Sequence, residues 1–487
     1  MLFNSYIFIL LFLPLALVLY YGLNHWKRET EAKLVLLGMS LWFYAYFHLW
    51  YLLLITGSIL FNYFCSRIIL KRRAWNGTGK LWLVLGVSVN IGVIFYFKYF
   101  NFFLENVNGI FGWELPLKEI LMPLGISFFT FQQISYLVDS YRMETGDYGF
   151  LDYALFVTFF PQLVAGPIVL HQEMIPQFRD KARKRLNQEM MARGIWLFAR
   201  GLFKKVMIAD VLGKGVDWGF GAPELLTGLE AALVSLLYTL QIYFDFSGYC
   251  DMACGIANMF HLELPQNFNS PYKSRSILEF WQRWHMSLSR FLRKYIYFPL
   301  GGSRKGTART LGNVIIVFLI SGIWHGAAWT FVLWGALHGL ANVLNRIFKK
   351  TWEKLPALLC WLGTFLFVNL TWILFRAESL QDAGIFYGKL FAPWEWRISH
   401  ALSEQFALLE FTYIVEHVSL LRNMLGQYPW IYTGIVLSLA MVLALVPRNL
   451  HEKKFVPRVG NGLASIVLLV WSIMSLSGLS AFLYFNF

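Results

Sequence analysis

Charge is scarce in this chain. Only 14% of its 487 residues are Asp, Glu, Lys or Arg, while 57% are hydrophobic. A soluble protein of this length cannot hide that much apolar surface, and repeated apolar runs near 20 residues point to a polytopic membrane protein. Cysteine is scarcer still. The four present, Cys65, Cys250, Cys254 and Cys360, all sit in apolar surroundings, and they imply neither a disulfide framework nor a zinc pattern. Cys250 and Cys254 could share a helix face, where packing accounts for them. The chain has no Walker loop, no nucleophile-elbow serine and no His-x-x-x-His pair, so phosphate-loop, serine-triad and zinc chemistries lack their carriers. No basic region forms a separate soluble part, which argues against nucleic acid as a partner. Residues 1–24 lack a basic leader and a small-residue cleavage site, so they are expected to be a retained first span.

Aromatic residues are abundant, at 18% with 20 Trp, as suits interfacial belts and aromatic-lined cavities inside a membrane. The net charge is +14. Basic loops at 67–80, 171–193, 346–354 and 448–458 fit the positive-inside rule, and attraction of a polyanionic cytosolic donor or of anionic lipid is the functional alternative. Residues 34–66 are expected to form two short or kinked helices, 81–100 a clear span, and 119–138 the return. The clearest later spans are 358–375, 430–446 and 463–483. The expected fold is an all-α membrane domain over 1–487, with about eleven transmembrane helices plus re-entrant and interfacial ones. Within 376–427, residues 406–421 are apolar enough to lie on or dip into the membrane.

The most unusual stretch is 311–345, which holds no Asp, Glu, Lys or Arg yet carries His325 and His338. As one straight helix it would run about 52 Å, too long for one span of about 30 Å and slightly short for two. The expected break is Ser321-Gly322-Ile323-Trp324-His325-Gly326-Ala327-Ala328, in a broken or re-entrant segment. Irregular backbone at membrane depth survives only when buried in protein or lining a wet cavity. An ionisable group there is a functional-site candidate.

Three other segments stand out. Phe160-Pro161-Gln162-Leu163-Val164-Ala165-Gly166-Pro167 cannot continue an ordinary helix and reads either as a surface loop or as a broken helix lining a cavity. Residues 194–213 carry Lys204, Lys205 and Asp210 in apolar company and suit an interfacial helix. Residues 225–260 are apolar but interrupted by Gln241, Asp245, Ser247, Tyr249 and Asp251, polar groups that are costly unless paired. They form either a network pinning helices or a substrate-lining wall. The wall is favoured, because residues six apart do not share a face of an unbroken helix. Residues 274–297 place Ile277, Trp281, Trp284, Leu288, Leu292 and Tyr295 at helical spacing, with Arg283, Arg290 and Lys294 opposite. That pattern predicts one amphipathic helix on the cytoplasmic interface, with His285 on its apolar side. His325 is the leading acid–base candidate, since apolar surroundings favour the neutral imidazole that can accept a proton.

Four motifs then combine: Asn267-Phe268-Asn269-Ser270-Pro271-Tyr272, Phe280-Trp281-Gln282-Arg283-Trp284-His285-Met286-Ser287-Leu288-Ser289, Tyr295-Ile296-Tyr297-Phe298-Pro299-Leu300-Gly301-Gly302 and Gly322-Ile323-Trp324-His325-Gly326. Together they resemble the membrane-bound O-acyltransferase family, in particular its bacterial alginate-acetylating branch. The likeness extends over 123–128, 160–167 and 243–251. It implies that His325 matches the essential histidine and His285 a second important one. It also implies a ring of helices around a thin centre, with a tunnel joining the two membrane faces. Gln241, Asp245, Ser247, Tyr249, Asp251, Asn267, Arg283, Trp284, Ser287, Trp324 and His338 are the expected substrate-binding or tunnel-lining residues, with no metal. The expected donor is acetyl-CoA or another acyl thioester on the cytoplasmic side. The expected partners are an extracytoplasmic acetyltransferase protein and a polysaccharide, with the cytoplasmic (inner) membrane as location. A sister branch that moves D-alanine towards teichoic acid shares the Arg-Trp-His-x-Ser pattern. A transporter or an export scaffold is the alternative of another class.

Overall fold

The apolar runs become helices, and no strand occurs among the described residues of this computed structural model, which are 1–74, 77–406, 417–419, 428, 430–452, 455–476 and 480–483. Among the described residues, six helices are long and apolar enough to cross a membrane: Ile7–His25, Trp50–Ala74, Lys80–Phe111, Gly228–Met259, Thr307–His325 and Ala357–Arg376. Trp430–Leu445 and Val459–Met474 are shorter apolar helices. The gap from about eleven has a simple origin. Glu29–Ala45, Ile126–Tyr141 and Trp329–Ile347 are 16 to 19 residues long and carry polar or charged side chains. Most of 406–421 lies outside the described residues.

The chain divides into two compact units interleaved in sequence. One comprises Met1–Leu202, Tyr249–Gln266 and Phe455–Phe487, and the other Phe203–Gly248 and Asn267–Lys454.

In the first unit the 81–100 span grows into Lys80–Phe111, and the return helix begins only at Ile126. The chain between them runs back along the end of the first helix. Asn108 exchanges two hydrogen bonds with the backbone of Leu115, and Asn101 does the same with Lys118. The spacing explains the fit: seven helical residues rise about 10 Å, and three extended ones cover the same length. The helix starts late because Gly125 takes a left-handed φ of +70°. A Cβ there would lie 2.9 Å from the Leu163 carbonyl oxygen and the Val164 Cα. Those neighbours belong to the proline-broken stretch, where Phe159, Phe160, Gln162, Leu163, Val164 and Ala165 are all buried. It is therefore broken helix packed inside protein, not a surface loop, as irregular backbone in a membrane protein requires.

Lys33 and Arg179 each approach Asp152 to 2.6 Å, and the carboxylate is only 11% exposed. Burial works against this charge, and its two cationic partners overcome that penalty, holding its carboxyl below the usual range. A depressed pKa gives stability that is present above the unfolded value of about 3.9 and lost as pH falls through the folded one. Asp152→Asn is expected to cost about 2 kcal/mol at pH 7, between the values for buried and exposed pairs. Thermal unfolding in detergent should show the variant losing less stability than the parent as pH drops below about 4.

In the second unit three expectations change. Residues 194–213 lie within a longer helical run than expected. They join Gln188–Phe203 to Asp210–Gly221 through a π-helical turn at Lys204–Ala209, and the chain enters the second unit at Phe203. The expected break in 225–260 is absent, because Gly228–Met259 is one 32-residue helix. Its charge is accommodated by pairing: the buried Lys205 ammonium lies 2.7 Å from Asp245 and 2.8 Å from Asp210. The amphipathic helix over 274–297, in contrast, is broken. Ile277–Arg283 and Met286–Leu292 are separate seven-residue helices, and a π-helical turn, Arg293–Tyr297, follows. The break falls at His285, whose backbone is left-handed at φ 45°, ψ 53°.

Residues 311–345 form a hairpin of two full helices, Thr307–His325 and Trp329–Ile347. Each has 19 residues, or about 28 Å. The arms gain the missing length by extending past 311 and 345. The break falls within the predicted stretch, at Gly326-Ala327-Ala328, where Gly326 and Ala328 are extended.

Candidate active site

His325 is the last residue of the first hairpin arm and is 2% exposed. Its imidazole is walled by aromatic rings: Trp324 at 4.9 Å, Phe375 at 5.1 Å and Trp334 at 5.3 Å between centroids. The second arm supplies Trp334 and the helix Ala357–Arg376 supplies Phe375. His285 lies 6.4 Å from His325, ring centre to ring centre, and 6.0 Å from Trp324. Phe246 packs edge-on against His285 at 4.9 Å. Two imidazoles 40 positions apart in sequence thus share one chamber walled by aromatic rings.

His285 is placed by a clamp. The Met286 N–H donates to the Asn267 carbonyl at 3.0 Å, and the Asn269 N–H donates to the Arg283 carbonyl at 2.9 Å. Arg283 also donates to the Asn269 carbonyl at 3.2 Å and pairs with Glu279 at 2.9 Å. These bonds flank the left-handed residue on both sides. Such a conformation costs a non-glycine residue about 1 kcal/mol or more and persists where its surroundings impose it. The Asn267 side-chain oxygen accepts from the Ser287 N–H at 3.1 Å and the Ser287 hydroxyl at 2.9 Å, and lies 3.2 Å from His285 Nδ1. Ser287 is thereby engaged as a donor. Trp284 is buried in a ring cluster with Phe268 and Trp372, each at 5.0 Å.

His338 is held differently. The Trp281 indole N–H donates to its Nδ1 at 3.2 Å, and its Nε2 lies 2.9 Å from the Thr371 hydroxyl. An indole can only donate, so Nδ1 is bare, Nε2 carries the proton and the ring is neutral. Trp334 stands against both His325 and His338, 4.7 Å from the latter. His338 thus pins three helices while His325 faces the chamber.

All five residues of the expected polar wall are buried along the one helix Gly228–Met259. Gln241, Asp245 and Ser247 are buried in the second unit, whereas Tyr249 and Asp251 belong to the first. Asp245 is tied to Lys205 and Gln241 packs against Gly213, while Tyr249 stacks on Phe3 and meets Phe482 edge-on. Trp334, Phe375 and Thr371 were not singled out from sequence. The spacing of Trp334 four residues before His338 was the available signal. Among the described residues, no three His, Cys, Asp or Glu side chains gather as a metal site would need.

The arrangement offers two buried imidazoles, which suits proton transfer during attack by a substrate hydroxyl. Comparison with known proteins supplies the class. The membrane-bound O-acyltransferase family model matches residues 32–381, which include both histidines. A peptidoglycan O-acetyltransferase of Helicobacter pylori is 46% identical over 79% of this chain and 78% of its own. A probable alginate O-acetylase AlgI of Azotobacter vinelandii is 38% identical over the full length of both. A teichoic acid D-alanyltransferase of Streptococcus thermophilus is 27% identical over 49% of this chain and 60% of its own. With its multi-pass helical fold, the chain belongs to the membrane-bound O-acyltransferase family and is an acyltransferase.

Proposed function

We propose that the protein is an O-acetyltransferase of the cytoplasmic membrane. It takes an acetyl group from a cytoplasmic thioester, acetyl-CoA or another acyl carrier, for O-acetylation of an extracytoplasmic polysaccharide, with an extracytoplasmic acetyltransferase as partner. The observation that carries this reading is the pair of buried histidines, 6.4 Å apart, at the hairpin break. His325 takes the proton of the attacking hydroxyl as its oxygen bonds to the thioester carbonyl carbon. The carbon–sulfur bond then breaks, and the proton passes to the departing thiolate. The aromatic walls keep water, the competing acceptor, away from the carbonyl.

Peptidoglycan is the acceptor to assay first, because the relative bearing that name is 46% identical, against 38% for the alginate protein. Cells lacking the chain, with and without complementation, would be compared for base-labile acetate in purified peptidoglycan and in secreted polysaccharide. Acetate should vanish from one polymer while that polymer is still exported. Acetylation persisting at the parental level in both would sink the proposal. Halted export with normal acetylation of the remaining polymer would favour a transporter, and loss of ester-linked D-alanine instead would favour the alanyl reading.

A further inference from the structure

We propose that Asn267 is a positioning residue that presents His285 to the chamber as a base, with its proton on Nδ1 and its lone pair on Nε2. The assignment follows from hydrogen-bond bookkeeping. The Ser287 backbone N–H, 3.1 Å from the Asn267 side chain, can only donate. The amide atom facing it must therefore be the oxygen, since a flipped amide would set N–H against N–H. His285 Nδ1 lies 3.2 Å from that same oxygen, so Nδ1 must be the donor and carry the ring proton. The other nitrogen, Nε2, then holds the lone pair.

Asn267 also acts through the main chain. Its carbonyl accepts the Met286 N–H at 3.0 Å, directly after His285. One residue thus sets the tautomer and supports the left-handed turn at His285. Asn267, His285 and Ser287 are each 2% exposed or less, so water does not compete for these bonds. The His325 ring packs against that of His285. The chamber therefore contains a second basic nitrogen besides His325. Its part in turnover rests on the acyl-transfer reading, but its protonation state does not.

The test uses full-length protein in nanodiscs with 15N-labelled histidine, the His285 signals being assigned by their loss in His285→Asn. The expected spectrum shows Nδ1 protonated and Nε2 bare. Asn267→Asp keeps an acceptor for Ser287 but places a carboxylate on Nδ1–H, which favours the imidazolium. The His285 midpoint should rise by about one unit or more, and the acid limb of any measured acyl-transfer rate should move to higher pH with it. An Asn267 side chain that did not face the imidazole would leave both unmoved. A proton found on Nε2 in the parent, or an unchanged midpoint in folded Asn267→Asp protein, would overturn the inference. If instead cells lacking the chain acetylated both polymers normally while these spectra came out as expected, the acyl-transfer reading would fail and this one would stand.

Discussion

His325→Gln is expected to lower acyl transfer at least about 100-fold, the usual floor for removing a positioned general base, with little change in the amount of protein in the membrane. The choice of glutamine matters. Alanine would leave a hole among Trp324, Trp334 and Phe375, the rings that pack within 5.3 Å of His325, and core cavities are destabilising in themselves. Glutamine fills much of that space and retains hydrogen-bonding groups, but it cannot accept a proton at neutral pH. Membrane abundance and thermal stability in detergent would be measured beside O-acetyl content. His338 provides the contrast. Both of its ring nitrogens are occupied, by Trp281 and Thr371, so His338→Gln should act on stability first and on acetylation only through it. If His325→Gln retains parental acetylation, proton abstraction by this residue is wrong. If His338→Gln, at full abundance, is as inactive as His325→Gln, the division between a reacting and a pinning histidine is wrong.

The hairpin was legible because its signals are local. An uncharged run of the wrong length, with Gly326-Ala327-Ala328 after a histidine, demands a turn wherever the chain is packed. What failed depended on distant partners. The polar residues of Gly228–Met259 suggested a break, but the partner that lets Asp245 stay in a continuous helix is Lys205, 40 positions earlier. The reverse error occurred at 274–297. Apolar spacing there is helical throughout, and nothing local forbids continuation. The interruption at His285 is imposed by Asn267 and Asn269 bonding to the backbone on either side of it. Motif resemblance brought His285 and His325 forward together, whereas their 6.4 Å separation and Trp334 between His325 and His338 required the fold.

Gly322→Ala should disable the enzyme almost as thoroughly as losing the base, although it touches no reacting group. The two hairpin arms meet at glycines. A Cβ on Gly322 would lie 2.3 Å from the Phe331 carbonyl oxygen and 3.1 Å from the Gly335 Cα, and one on Gly335 would lie 2.5 Å from the Phe318 carbonyl oxygen. These are backbone atoms, which cannot swing aside as a flexible side chain can, so the arms must part. Overpacking of this kind costs about 1–3 kcal/mol. The displacement also falls within one helical turn of His325, and a misplacement of about 1 Å at a reacting group can cost about 100-fold in rate. Gly312 is the control on the same helix: a Cβ there meets nothing within 4 Å. Gly312→Ala should be neutral or stabilise by up to about 1 kcal/mol, since alanine favours helix over glycine. Acetylation and unfolding temperature should therefore fall together in Gly322→Ala and Gly335→Ala and hold in Gly312→Ala. Normal acetylation in Gly322→Ala would mean that His325 does not depend on the close contact of the two arms.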